Sequence, residues 1–184
     1  MKKRSMLELN RLSVESYKET PKTPIIVILD NIRSALNVGS AFRTSDAFLV
    51  QEIALCGITA QPPHREILKT AIGATKSVAW QHFETTQEAV NHYRAKGFQI
   101  AAIEQAEGSI PLQNVPVQAQ DKVAIIFGNE VKGVDQEIMN IVDCCIEIPQ
   151  FGTKHSFNIS VSMGIVLWSL TQKIRPDLII QESH

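Results

Sequence analysis

KVAIIFGNEVKGV, residues 122–134, runs five consecutive apolar side chains, Val123 to Phe127, into a turn of glycine, asparagine and glutamate, with a second glycine at 133. Five apolar residues in a row leave no polar face, so the segment reads as a strand buried on both sides of a sheet. The turn that follows sits where open α/β sheets bind their ligands, outside the carboxyl end of a strand. On this pattern alone it is equally a fold corner, a phosphate cradle or part of an active site.

Outward from that strand the chain alternates. Residues 25–29 are a second solid apolar strand, followed by a helix over 38–48 with Ala41, Phe42 and Ser45 on one face. Further strands are expected at 52–56, 78–83, 98–103 and 145–148. A Pro-Pro turn at Pro62 and Pro63 interrupts the chain before a mixed segment. Thr85 and Glu88 have capping-box spacing for a helix that Gly97 closes. A short helix is expected at 135–141, and a long apolar one at 156–172, ended by Arg175-Pro176. Strands spaced by helices predict an α/β domain with a mostly parallel sheet flanked by helices. That domain is expected over 25–176, after a short basic segment at 1–24 and before a short tail at 177–184.

Composition narrows the function. With 184 residues, 44% hydrophobic and 20% charged, the chain is expected to form one domain around one core. The formal charge of −1 is not that of a chain whose whole surface attracts nucleic acid, so any polyanion has to meet a local patch. Lys2, Lys3, Arg4, Arg11, Lys18 and Lys22 form a modest one, against Glu8, Glu15 and Glu19. No signal-peptide core follows the basic start, and no apolar run is long enough for a membrane span. Three cysteines, two of them adjacent at Cys144 and Cys145, make neither a disulfide framework nor a zinc site. A reduced, cytoplasmic protein without membrane or metal is expected. No two glycines have G-x-G spacing, which removes the dinucleotide fingerprint, and Gly73 to Ser77, GATKS, lacks the Gly-Lys pair of a P-loop.

Three polar clusters remain, each at an expected loop. DNIRSALNVGSAFRTSDAF from Asp30 carries Asn37, Gly39 and Arg43; FGNEVKGV carries Gly128, Asn129 and Glu130; IPQFGTKHSFNIS carries Ile148, Pro149, Ser156 and Asn158. Together, in order and spacing, they resemble motifs 1, 2 and 3 of the SpoU, or TrmH-like, RNA ribose 2′-O-methyltransferases of the SPOUT superfamily, over residues 25–170.

The resemblance implies a SPOUT-type domain with a deep trefoil knot in its carboxy-terminal third, holding S-adenosyl-L-methionine largely by backbone groups. Gly128, Ile148 and Phe157 match the family's cofactor-contacting positions. The family usually has leucine where Phe157 stands, so the adenine side of the pocket is expected to be reshaped. A homodimer is implied, with the active site near the subunit interface. The last helix, with Ile159, Val166 and Trp168 as an apolar surface beside Ser160, Ser162 and Gly164, is one candidate for that interface; burial inside the monomer is the other. Arg43 matches the essential arginine of motif 1. Because a guanidinium normally stays protonated, it is read as a clamp on an RNA phosphate and a stabiliser of the developing alkoxide, ahead of direct action as the base. Glu130 is expected to orient Arg43 by a bidentate pair or to hold the ribose. Ser156 and Asn158 are expected to hydrogen-bond around the target hydroxyl, and Asn37 to shape the motif 1 loop or assist Arg43. Helix capping by Ser156 and Asn37 is the plain alternative. The implied substrate is a structured RNA, transfer or ribosomal. A base-modifying SPOUT enzyme and a non-catalytic RNA-binding module of the same fold stay open at this point.

Overall fold

The computed structural model describes residues 11–179. Lys2, Lys3, Arg4 and Glu8, and the end of the expected tail, lie outside the described residues. Seven strands, β1 (Thr23–Asp30), β2 (Val50–Cys56), β3 (Trp80–Phe83), β4 (Gln99–Ile103), β5 (Ile110–Pro111), β6 (Val123–Phe127) and β7 (Cys144–Glu147), form one sheet in the order β3-β2-β1-β6-β4-β7-β5. Every pairing is parallel. Around it lie α1 (Val14–Glu19), α2 (Ala35–Ala47), α3 (Arg65–Ala71), α4 (Thr86–Ala95), α5 (Gln136–Met139), α6 (Ile159–Ile174) and α7 (Pro176–Ile179).

The apolar runs are explained by burial on both faces. Ile25, Val27 and Leu29 of β1 and Ile125 and Phe127 of β6 join α2 and α6 in one core, through Val38, Phe42 and Leu167. Ile26, Ile28, Ala124 and Ile126 turn the other way, onto Val90 and Tyr93 of α4 and Ile138 of α5. Burying each large side chain stabilises by about 1.5–3 kcal/mol, so these strands carry no polar alternation.

Local signals were met where their chemistry is local. Thr85 Oγ1 accepts from Glu88 N at 3.2 Å and so caps α4. Gly97, at φ +81°, closes it: Gly97 N donates to Arg94 O at 2.9 Å and Phe98 N to Tyr93 O at 3.1 Å. α2 and α3 approach very closely, since a Cβ on Gly39 would lie 2.0 Å from Thr70 Oγ1 and 2.4 Å from Ile67 O.

Some expectations shift. The stretch between Pro63 and Val78 contains α3, whose seven residues bury only Ile67 and Ala71, too little to set a period. The two-residue β5 was not expected either. α6 begins at Ile159 and not at Ser156, because Asn158 is its cap. The expected surface of Ile159, Val166 and Trp168 does not exist as one face. Val166 is wholly buried in the monomer core, while Trp168, two residues on and so on the opposite side, is 50% exposed against Phe48. Among the described residues, no helix is long and apolar enough to cross a membrane.

Candidate active site

A cavity of about 560 Å³ opens at the carboxyl ends of β4, β6 and β7. Its walls are residues 103–105 after β4, the turn 127–133 after β6, Ile148 and Gln150 after β7, and the approach to α6 from Ser156. Six of the eight candidate residues line it: Gly128, Glu130, Ile148, Ser156, Phe157 and Asn158. Asn37 joins through hydrogen bonds, and Arg43 does not line it.

The turn after β6 is built by its own polar groups. Asn129 and Gly133 exchange backbone hydrogen bonds of 3.0 and 2.8 Å. The Asn129 carboxamide accepts from Val131 N at 2.9 Å and Lys132 N at 3.2 Å, and donates to Asn31 O at 2.7 Å. This pinch brings the returning chain against Gly128, where a Cβ would stand 2.2 Å from Gly133 C and Val134 N. Gly128 is therefore required by the turn's own backbone, whatever the cavity holds. Gly133, at φ +70°, is likewise pressed against Glu104, whose Oε2 would lie 2.2 Å from a Cβ there.

Glu104 is a cavity residue that the sequence reading missed. Its carboxylate accepts from Val134 N at 3.2 Å and Gln105 N at 2.9 Å, tying the turn to the end of β4. The signal available was its position, a lone acid directly after a buried apolar strand.

Glu130 does not pair with Arg43, contrary to one of its two expected roles. Its oxygens accept from Arg33 N at 2.9 Å, Ser34 N at 3.0 Å and Asn37 Nδ2 at 3.1 Å. These donors stand at the start of α2, where the positive end of the helix dipole also favours a carboxylate. Burial pushes the carboxyl up, but the backbone amides of Arg33, Glu130 and Ser34 and the Asn37 amide outweigh it and hold it below the ordinary value. Glu130 is thus an ionised brace between the turn and α2.

The caps also fall elsewhere than expected. Ser34 caps α2, its Oγ accepting from Asn37 N at 3.3 Å. Asn158 caps α6, its Oδ1 accepting from Ser160 N at 2.9 Å and Ser160 Oγ at 2.6 Å, while its Nδ2 reaches Asn37 Oδ1 at 3.4 Å. Glu130, Asn37 and Asn158 therefore form one line of side chains joining all three polar clusters. Ser156 and Phe157 are exposed at the cavity wall. Arg43 lies on the outer face of α2, exposed and without a hydrogen bond or ion pair among the described residues.

The cavity suits a folded nucleoside-sized ligand, since small-molecule sites run to about 300–1,000 Å³. It carries two carboxylates, Glu104 and Glu130, against one cation, Lys132, a balance that favours a ligand with positive charge. Among the described residues, no group of three His, Cys, Asp or Glu could hold a metal ion.

The profile described as the SpoU rRNA Methylase family matches residues 24–168. A tRNA (guanosine(18)-2′-O)-methyltransferase of Borreliella burgdorferi is 26% identical over 148 residues, which are 80% of this chain and 66% of that protein. The Aquifex aeolicus protein of the same description is 30% identical over 169 residues, 89% of this chain and 76% of its own length. The AdoMet-bound rRNA methyltransferase from Sinorhizobium meliloti has the same fold, with a TM-score of 0.76 at 26% identity, over 85% of this chain and 59% of that one. The chain thus spans 66% of the Borreliella protein and 59% of the Sinorhizobium one.

Proposed function

The chain belongs to the SpoU rRNA methylase family, and from that premise we propose that it is an RNA methyltransferase that uses S-adenosyl-L-methionine to methylate a ribose 2′-hydroxyl of transfer or ribosomal RNA. The observation that carries this reading is that two of the three polar clusters line one cavity and the first is tied to both by the line Glu130–Asn37–Asn158.

The residues present fit the cofactor. The backbone at Gly128 and Ile148 and the ring of Phe157 would hold it, with Glu104 and Glu130 supplying the negative potential a sulfonium requires. Bound there, the cofactor supplies an electrophilic methyl group. That methyl would pass to the ribose 2′-oxygen, its bonding electron pair staying with the cofactor, and the hydroxyl proton would leave to water. A carboxylate already saturated by three N–H donors is a weak base, so Glu130 holds Asn37 and α2 in place and takes no proton. Ser156 orients the ribose from the cavity wall, and Asn37 does so from beside it, through its contacts with Glu130 and Asn158.

Arg43 acts on the alkoxide and a neighbouring phosphate from a second copy of the chain. Its exposure on the outer face of α2, away from the cavity of its own chain, supports this reading. The homodimer this requires would use the outer stripe of α6, where Val161 and Trp168 are 48% and 50% exposed. The trefoil knot belongs to the same reading. β7 lies between β4 and β5 although it follows both, and α6 lies against the β5-to-β6 connection, with Lys173 Nζ donating to Val115 O at 2.8 Å and Gln120 N to Ile174 O at 3.1 Å.

The test is methylation of unfractionated RNA with methyl-labelled cofactor, followed by nucleoside digestion. Label on a 2′-O-methylnucleoside is expected. Label on a base would replace the ribose assignment with base modification, and cofactor binding without transfer would leave a non-catalytic RNA-binding module.

A further inference from the structure

The chain's charge is segregated. Residues 31–80 carry Arg33, Arg43, Arg65, Lys69 and Lys76 against three carboxylates, Asp46, Glu52 and Glu66. Residues 81–147 carry four Lys and Arg against ten Asp and Glu. In a molecule of net charge −1, the stretch that carries α2 and α3 therefore has a cationic excess, while residues 81–147 are strongly acidic.

α3 runs antiparallel to α2. Thr70 Oγ1 donates to Leu36 O at 2.9 Å, and Ile67 O faces Gly39 one turn further along α2. Continuing that register brings Arg65 to the level of Ala41, two residues or about 3 Å along the helix from Arg43. Arg65, Leu68 and Lys69 recur at i, i+3 and i+4, one stripe of α3, and all three are exposed; Ile72, the cap that ends the helix, is exposed beside them. Leu68 is 46% and Ile72 68% exposed, while Ile67 and Ala71 on the opposite stripe are buried. Arg65, Lys69 and Lys76 enter no ion pair among the described residues. Only Glu66 stands beside them on α3, one residue off the stripe.

We infer that the outer face of α2 and α3, with Arg65 and Lys69 at its centre, is the surface that holds the phosphate backbone of the RNA substrate. The inference rests on the RNA-methyltransferase reading and adds where the RNA lies. Unpaired cations on a mixed aliphatic stripe suit a polyanion held through its phosphates, with no readout of sequence. Arg43 belongs to the same surface, so RNA seated on it passes the arginine assigned to the alkoxide.

The test is binding of unfractionated transfer RNA to the parent and to the double variant Arg65→Gln/Lys69→Gln across salt. Each neutralised phosphate contributes about 0.7–0.9 to the slope of log affinity against log salt. Between about 50 and 200 mM salt the parent should therefore lose about 7- to 12-fold more affinity than the variant. Cofactor affinity and the transfer rate at saturating RNA should stay parental. Arg65→Lys/Lys69→Arg should keep the parental slope, because phosphate contacts of this kind need charge. A control pair in the acidic stretch, Lys96→Gln/Lys122→Gln, removes the same net charge and should leave the slope unchanged. An unaltered slope in the first variant, or an equal change in the control, overturns the inference. Absence of ribose methylation by the parent would instead overturn the reading on which it rests.

Discussion

Glu130→Gln tests the brace between the turn after β6 and the start of α2. Glutamine keeps the shape and one carbonyl oxygen, but its amide group must face Arg33 N or Ser34 N, donors that the carboxylate meets at 2.9 and 3.0 Å. One backbone donor loses its partner and the helix loses a negative charge at its positive end. A hydrogen bond to a charged group contributes about 1.5–3 kcal/mol and the dipole about 0.3–1 kcal/mol. Glu130 is exposed, and solvent recovers part of both, which leaves a net loss of about 1–2 kcal/mol. In a chain of this length that lowers the melting temperature by about 2–8 °C. The pH dependence follows from the depressed carboxyl. The unfolded chain takes up its proton first as pH falls, so the stabilisation is full above the ordinary value of 4.5 and drains away as pH drops through the lowered one. Urea titrations of parent and variant should differ at pH 7, with a gap that narrows towards pH 3. Single-turnover methyl transfer should fall on the order of a hundredfold, as misplaced groups commonly cost. Equal midpoints at pH 7, or a gap that does not change with pH, would refute the brace.

Gly128→Ala places a methyl 2.2 Å from the backbone of Gly133 and Val134. It should destabilise the fold by about 1–3 kcal/mol and weaken cofactor binding together, measured by urea titration and calorimetry; parental stability would contradict the pinched turn. The parent should scatter light as a dimer and Trp168→Glu should shift it towards monomer, whereas a parental monomer with full transfer would remove the obligatory dimer. Arg43→Ala should keep cofactor affinity and lose transfer by roughly a hundredfold to a thousandfold. In dimers mixed with a Phe157→Ala chain, which lacks the ring that would hold the cofactor but keeps Arg43, transfer should return; no return would put Arg43 and its cavity on one chain.

The strands were legible wherever burial on both faces forced an unbroken apolar run. β1 and β6, at the centre of the sheet, stand within two residues of their expected bounds. The ends of elements followed local chemistry when one residue decided them, as Thr85 and Gly97 do for α4. α3 escaped because a seven-residue helix with two buried side chains has no period to read. β5 escaped because two residues carry none. Strand order is a property of distant pairings and has no local signature. Nothing in residues 144–147 says that they lie between β4 and β5.

The site was legible as three clusters and illegible as contacts. Residue type singled out Glu130 and Asn158, but each is held in part by backbone N–H groups, of Arg33 and Ser34 and of Ser160, that any sequence could supply, so those partners could not be read from side chains. Gly128 is the clearest case: the same glycine serves a ligand's approach or a turn's own closure, and only the 2.2 Å to Gly133 separates the two. Arg43 is different, because the clue lay in the spacing. An α-helix turns by about 100° per residue, so Arg43, six residues after Asn37, is rotated by about 240° from it and stands about 9 Å further along the axis. The two side chains therefore leave the helix in directions about 120° apart. Asn37 meets the cavity residue Asn158 at 3.4 Å, while Arg43 does not line the cavity. In the proposed reading, a second copy of α2 presents its outer face across an interface, so that both residues act on the same ribose.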